Sequence, residues 1–262
     1  MINIITTTIK DTCKLQMKQS LSRPTYRFCL IFQPIVYSII TYMMFKRSGQ
    51  DNFVSFVVLG TGILTLWSCI CFSSAGDIQR ERFMGTLQVI YATPTNFKII
   101  MFGKILGNTI LSLVPFGISF VVVKLIFNGD IYIEVPSAFI ISAILTILSF
   151  VSISLLFSAI FTLSRSSRIL MNCLEYPIFI LCGVLFPIDI LPKWTMLFSY
   201  MLSPTWAVRI LRMSLEGIHN RTLFCEYLII LILITIAYLI ASYFLYNLID
   251  KKTRINGTLG VS

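Results

Sequence analysis

The stretch Gly76-Asp77-Ile78-Gln79-Arg80-Glu81-Arg82-Phe83-Met84-Gly85-Thr86-Leu87-Gln88-Val89-Ile90-Tyr91-Ala92-Thr93-Pro94-Thr95 breaks a chain that otherwise reads as membrane. A helix leaving the apolar block before it can run on into water through Gly76–Arg82, where mixed charge favours solvation. Gly85 permits a tight bend, and Thr86 can cap a short helix over Leu87–Ala92. That helix stops before Pro94, because the residue preceding a proline is pushed out of the helical region. A second short amphipathic helix, Thr95–Lys104, then returns the chain to the bilayer. Such an element, held between two bilayer-length helices, is built to be touched by something outside the membrane.

Composition sets the background. Of 262 residues, 56% are hydrophobic and only 12% charged, about half the charged share that covers a soluble domain. Several apolar runs reach the ~20 residues needed to cross a hydrocarbon core of ~30 Å. No cleavable leader is expected, because Met1–Arg27 has no apolar core and is interrupted by Lys10, Lys14 and Lys18. The seven cysteines fall mostly inside apolar runs and include no Cys-x-x-Cys, so they read as small hydrophobes and neither a disulfide framework nor a metal site is expected. His219 is the single histidine, which excludes His-pair metal binding from this chain alone.

Six spans are expected, at about 28–45, 53–75, 105–127, 137–163, 169–186 and 224–249, with Pro34, Pro115 and Pro177 tolerated inside them. An even number puts both termini on one side. With the termini inside, the basic residues of the N-terminal stretch, of the 76–104 segment, Arg165, Arg168 and the Lys251–Arg254 run are cytoplasmic, fourteen of the 21. That bias supports cytoplasmic termini. The formal charge of +10 is then a topology signal, and no nucleic-acid partner is expected, since the charges are strung along helix ends instead of forming a patch.

Two pieces are not spans. Over residues 1–27, Ile5, Ile9, Cys13, Met17 and Leu21 recur every four residues beside Lys10, Lys14 and Lys18. This pattern suits a helix lying in the inner interface with its lysines snorkelling. Between the fifth and sixth spans, 187–221 holds Pro187, Pro192, Trp194, Pro204 and Trp206, too apolar for a free loop and too broken to span. Two short helices folded back into the outer leaflet satisfy both constraints, with Trp and Tyr at headgroup depth.

Three stretches in this order resemble the membrane (permease) subunit of type-2 ABC exporters. They are Arg80-Glu81-Arg82-Phe83-Met84-Gly85-Thr86-Leu87 with Thr93-Pro94, then Phe186-Pro187 through Leu191-Pro192 and Trp194 to Ser203-Pro204, and Arg23-Pro24 with Gln33-Pro34. Gln88 departs from the family pattern, where a glutamate is common. The resemblance implies an all-α integral membrane protein, a single transmembrane domain over 1–262. It has six transmembrane helices, an N-terminal interfacial helix, a cytoplasmic coupling helix within 76–104 and an outer re-entrant hairpin. It also implies a multi-pass subunit of a bacterial plasma membrane that exports a drug, antibiotic, peptide or amphiphile. Polysaccharide or lipid export is the alternative within the family. By resemblance, Arg80, Glu81, Arg82, Gly85, Thr86, Leu87, Thr93 and Pro94 couple to the ATPase, with Arg165 and Arg168 as a second cytoplasmic contact. Pro187, Pro192, Trp194, Pro204 and Trp206 form an outer gate, and the second and fifth spans line the path through Thr65, Ser68, Phe72, Tyr176 and Phe179.

The chain contains no Gly-x-x-x-x-Gly-Lys-Ser/Thr and is not expected to be an enzyme itself. ATP and Mg would bind a separate cytosolic ABC ATPase subunit. One six-span chain is too thin a wall for a path, so a second permease subunit, identical or not, is implied. Glu175 is the one acidic side chain deep in a span and is a candidate in the translocation path, or a structural partner of Lys104 or Arg168. An intramembrane enzyme would need a metal motif or paired catalytic groups, and none is assembled. A secondary transporter would show repeated halves, which are not found. For the topology, externally applied thiol reagent should label cysteines placed at Gly49, Asp130 and His219 in a cysteine-free background, and should not reach Gly85 or Asn256. Labelling at position 85 in intact cells would refute it.

Overall fold

A computed structural model describes residues 2–46, 53–93, 95–127, 133–163, 169, 180–184, 188 and 191–256, and among them every regular element is helical. The helices are α1 (Ile2–Leu21), α2 (Pro24–Lys46), α3 (Phe53–Phe83), α4 (Thr86–Ala92), α5 (Phe97–Phe127), α6 (Pro136–Leu163), α7 (Lys193–Met201), α8 (Ser203–Glu216) and α9 (Arg221–Asn256). Three contain segments long and apolar enough to cross a membrane: Phe97–Leu125, Pro136–Thr162 and Arg221–Ile249. At 27 to 29 residues they extend about 40 Å, more than a ~30 Å core requires. In α3 the apolar stretch among the described residues is Val57–Ile70. Most of the expected fifth span, with Arg165, Arg168, Glu175, Tyr176, Phe179 and Pro177, lies outside the described residues, as do Pro94 and Pro187.

α3 is the central helix, packing on α2, α5, α6 and α8. Its Trp67 meets Phe150 and Phe157 of α6 edge-on at 5.9 and 5.8 Å between ring centres. Gly62 gives α5 its close approach, since a Cβ there would fall 2.3 Å from the Phe116 ring. Several serines and threonines at the buried faces bond back to their own helices, as Thr65 does to Thr61 O at 2.9 Å and Thr146 to Ser142 O at 2.7 Å. Small residues of this kind let helices approach closely where apolar burial gives little drive in lipid.

Three expectations change. The return helix and the third span are one helix, α5, whereas α3 runs on through the stalk as expected. The stalk is only partly solvated: Asp77 and Ile78 are buried, and Gly76 and Gln79 through Arg82 are half-buried. α1 also departs from its expected setting, since it packs chiefly along α5. Lys10, Lys14 and Lys18 are exposed as expected, but so is Leu21, and the most buried side chains of α1 are Gln16 and Ser20. The cause is on α5, where Gly103 and Gly107 let α1 come close enough to seat polar groups. A Cβ at Gly103 would fall 1.9 Å from Thr12 Oγ1, and one at Gly107 2.7 Å from the Cys13 carbonyl oxygen. Backbone cannot give way there as a flexible side chain can, so Gly107→Val is expected to lift α1 off α5. Overpacking of this kind costs about 1–3 kcal/mol. The check is tryptic cleavage after Lys14 and Lys18 of the purified protein, which should accelerate; an unchanged digestion pattern and melting temperature would count against the close approach.

Candidate functional site: the elbow between α3 and α5

Where α3 ends, the chain turns sharply into α4. Gly85 carries the turn at φ 71, a left-handed conformation that disfavours any side chain, and it stands at the N-cap of α4. Thr86 was expected to cap α4; instead it is the first helical residue, and its hydroxyl donates back to the Glu81 carboxylate. α4 closes at Thr93, whose hydroxyl and N–H both bond to Ile90 O. Leu87 is buried, and Tyr91 stacks on Phe97 at 4.4 Å, which in turn meets Tyr246 of α9 at 6.0 Å. The short helix therefore rests on the end of α3, the start of α5 and the far end of α9.

Charges lock this elbow from inside. Asp77 and Glu81 are one helical turn apart on α3, as are Lys104 and Asn108 on antiparallel α5, so the two pairs meet rung against rung. Asn108 Nδ2 donates to Asp77 Oδ2 at 2.7 Å, Gln16 Nε2 donates to the same oxygen, and Arg23 donates to Asp77 Oδ1 at 2.7 Å. Ser20 on α1 donates to Asn108 Oδ1 at 3.0 Å. On the next rung Lys104 pairs with Glu81, with side chains only 8% and 13% exposed. Burial raises the Glu81 carboxyl, but the hydrogen bonds from Lys104 and Thr86 and the Lys104 charge outweigh it and hold the group below its usual range. Arg80 donates to Gln19 of α1 at 3.3 Å, and Arg82 to Thr162 O at the end of α6 at 2.7 Å.

The expected coupling residues thus divide. Glu81, Arg82, Thr86 and Leu87 are engaged within the subunit, and Arg80 reaches α1. The outward surface of the elbow is apolar: Phe83 is 91% exposed, Val89 66% and Met84 64%, with Gln88, Ala92 and Thr93 beside them. Lys104 pairs with Glu81, and Glu175 lies outside the described residues. Sequence reasoning passed over Asp77, Gln16 and Asn108, and the usable signal was their four-residue spacing from Glu81, Ser20 and Lys104.

Thr65 and Ser68 are buried in the subunit's own packing, and the side chain of Phe72 lies outside the described residues. At the opposite end, α7 and α8 are two short helices within 187–221. Pro192 precedes α7. Trp194 is exposed, whereas Pro204 and Trp206 are buried in α8, which inserts between α6 and α9. Arg212 holds α8 to the carbonyls of Gly183 and Val184 at 3.2 and 3.0 Å.

The ABC-2 type transporter family model matches residues 10–215. A region of 185 residues, 70% of the chain, is 24% identical to the ABC transporter G family member 20 of Dictyostelium discoideum, and the chain spans about a quarter of that relative's length.

The lock predicts a signature. Glu81→Gln leaves Lys104 buried without its counter-charge, a loss of about 3 kcal/mol, whereas Glu81→Gln with Lys104→Met should recover most of it. Because the Glu81 carboxyl is depressed in the folded state, its contribution is complete above the ordinary value of 4.5 and fades as pH falls through the lowered one. Thermal unfolding at pH 7 and near pH 4 should therefore show a larger acid loss in wild type than in the double variant. Equal losses would refute the lock.

Proposed function

The chain belongs to the ABC-2 type transporter family, and on that premise we propose that it is the membrane subunit of an ATP-driven exporter whose α4 elbow docks on a separate cytosolic ATPase. The observation that carries this reading is the inversion at the elbow. The elbow around the seven-residue α4 is fixed from inside by the Arg23–Asp77 and Lys104–Glu81 ion pairs, yet presents Phe83, Met84 and Val89 outward. Exposed apolar side chains on a rigid, charge-locked support fit a protein partner.

ATP and Mg would bind that partner, whose dimerisation moves α4. Because α4 is braced on α3, α5 and α9, displacement there passes to helices that cross the bilayer. Arg165 and Arg168 are assigned as a second contact, since Arg82 ties the elbow to the end of α6 just before them. A second permease subunit, identical or not, completes the path in a bacterial plasma membrane, with both termini cytoplasmic. Thr65 and Ser68 support the packing of α3 and are left out of the path; Phe72 on the second span and Glu175, Tyr176 and Phe179 on the fifth remain assigned to it. At the outer end α7 is the surface available to gate, and α8 is its buried support. The exported class is a drug, antibiotic, peptide or amphiphile, with polysaccharide or lipid as the alternative.

Val89→Asp and Phe83→Asp test the docking surface, because both sites are exposed and neither touches the lock. Each variant should melt like wild type, lose most ATPase capture in pull-down and lose ATP-dependent export. Wild-type capture with normal export in both would overturn the reading, and export that persists without any ATPase would favour a secondary transporter.

A further inference from the structure

At the end of the bundle opposite the elbow, Arg209 is held without a counter-charge among the described residues. The Arg209 guanidinium lies 5.2 Å from the ring centre of Trp206, 5.3 Å from Tyr200 and 5.4 Å from Tyr227. The walls are fixed: Trp206 Nε1 donates to Tyr200 O at 2.9 Å, and the Trp206 ring packs on Tyr200 at 5.7 Å and Tyr227 at 5.4 Å. Among the described residues no carboxylate pairs with Arg209 and no hydrogen bond occupies its N–H groups. Three aromatic faces stabilise the charge and shield it in part from water, and the guanidinium, half-buried, has its donors unoccupied among the described residues.

Two further observations say what that is. Tyr227 sits six residues into α9, about 9 Å along it, a depth suited to the headgroup boundary. Tyr238 Oη donates to Met201 O at 2.6 Å, so the α7–α8 corner lies roughly 16 Å deeper along α9, and α8 climbs back toward the surface past Arg209. α7 meanwhile presents Trp194, Leu197, Phe198 and Met201 outward while burying Thr195 and Ser199. An apolar face entering the bilayer beside an uncompensated guanidinium matches one amphiphile.

We propose that the Tyr200–Trp206–Arg209–Tyr227 cage binds the phosphodiester headgroup of a phospholipid in the leaflet opposite the elbow, with an acyl chain lying along the exposed face of α7. The guanidinium donates to two phosphate oxygens, a planar match that ammonium lacks. The site does not depend on which solute is exported, or on the exporter reading at all.

The test uses the purified full chain, delipidated in detergent and titrated with dioleoyl phosphatidylglycerol, dioleoylglycerol or inorganic phosphate, with bound species counted by native mass spectrometry. Wild type should retain phosphatidylglycerol and not dioleoylglycerol, and Arg209→Gln should weaken phosphatidylglycerol about fivefold. Leu197→Ser should weaken it too, while leaving the cage intact. Equal retention of dioleoylglycerol by wild type would overturn the proposal without need of any variant. So would undiminished phosphatidylglycerol binding by an Arg209→Gln protein that melts like wild type. Displacement of the lipid by inorganic phosphate at equal concentration would assign the cage to a soluble anion instead.

Discussion

Everything at the elbow depends on two buried carboxylates, Asp77 and Glu81, finding their partners. A carboxylate taken out of water costs several kcal/mol unless paired and hydrogen-bonded, and each rung here is met from more than one segment of the chain. Asp77 draws Gln16 from α1, Arg23 from the turn before α2 and Asn108 from α5, while Glu81 draws Lys104 from α5 and Thr86 from α4. Slipping α3 against α5 by one turn would leave a charge unmatched at either end. The glycines of α5 follow from the same demand, because only a close α1 lets Gln16 and Ser20 reach Asn108.

This arrangement turns the elbow inside out relative to an ordinary surface loop. Its charges face inward and set geometry, and its apolar side chains face outward. The consequence for mechanism is stiffness. α4 is too short to hold a helical shape alone, but the left-handed Gly85, the Thr86–Glu81 bond and the Leu87, Tyr91 and Phe97 packing hold it to three longer helices.

The opposite end of the bundle uses the same materials in another way. α8 is wedged among α3, α6 and α9 and anchored by Arg212, while α7 lies outside with its aromatic and aliphatic residues uncovered. Of the two tryptophans there, one became a wall around Arg209 and the other a surface group. Their sequence neighbourhoods are alike, and the difference is which helix each joined.

Several features were legible from local chemistry alone. The membrane class follows from too few charges to cover a soluble surface, the bend at Gly85 from its freedom at positive φ, and the end of α4 from the proline that follows Thr93. The break of 187–221 into two short helices follows from its prolines. Those are properties of a residue and its immediate neighbours. What α3's charges do was decided by the tertiary structure. Asp77 and Glu81 read as solvating groups until α1 and α5 closed over them, because whether a carboxylate faces water or an ammonium depends on residues far away in the chain. Likewise the lysine stripe of α1 was readable, but its inner face was not, since Gln16 and Ser20 become core residues only when Gly103 and Gly107 bring the α5 backbone within reach.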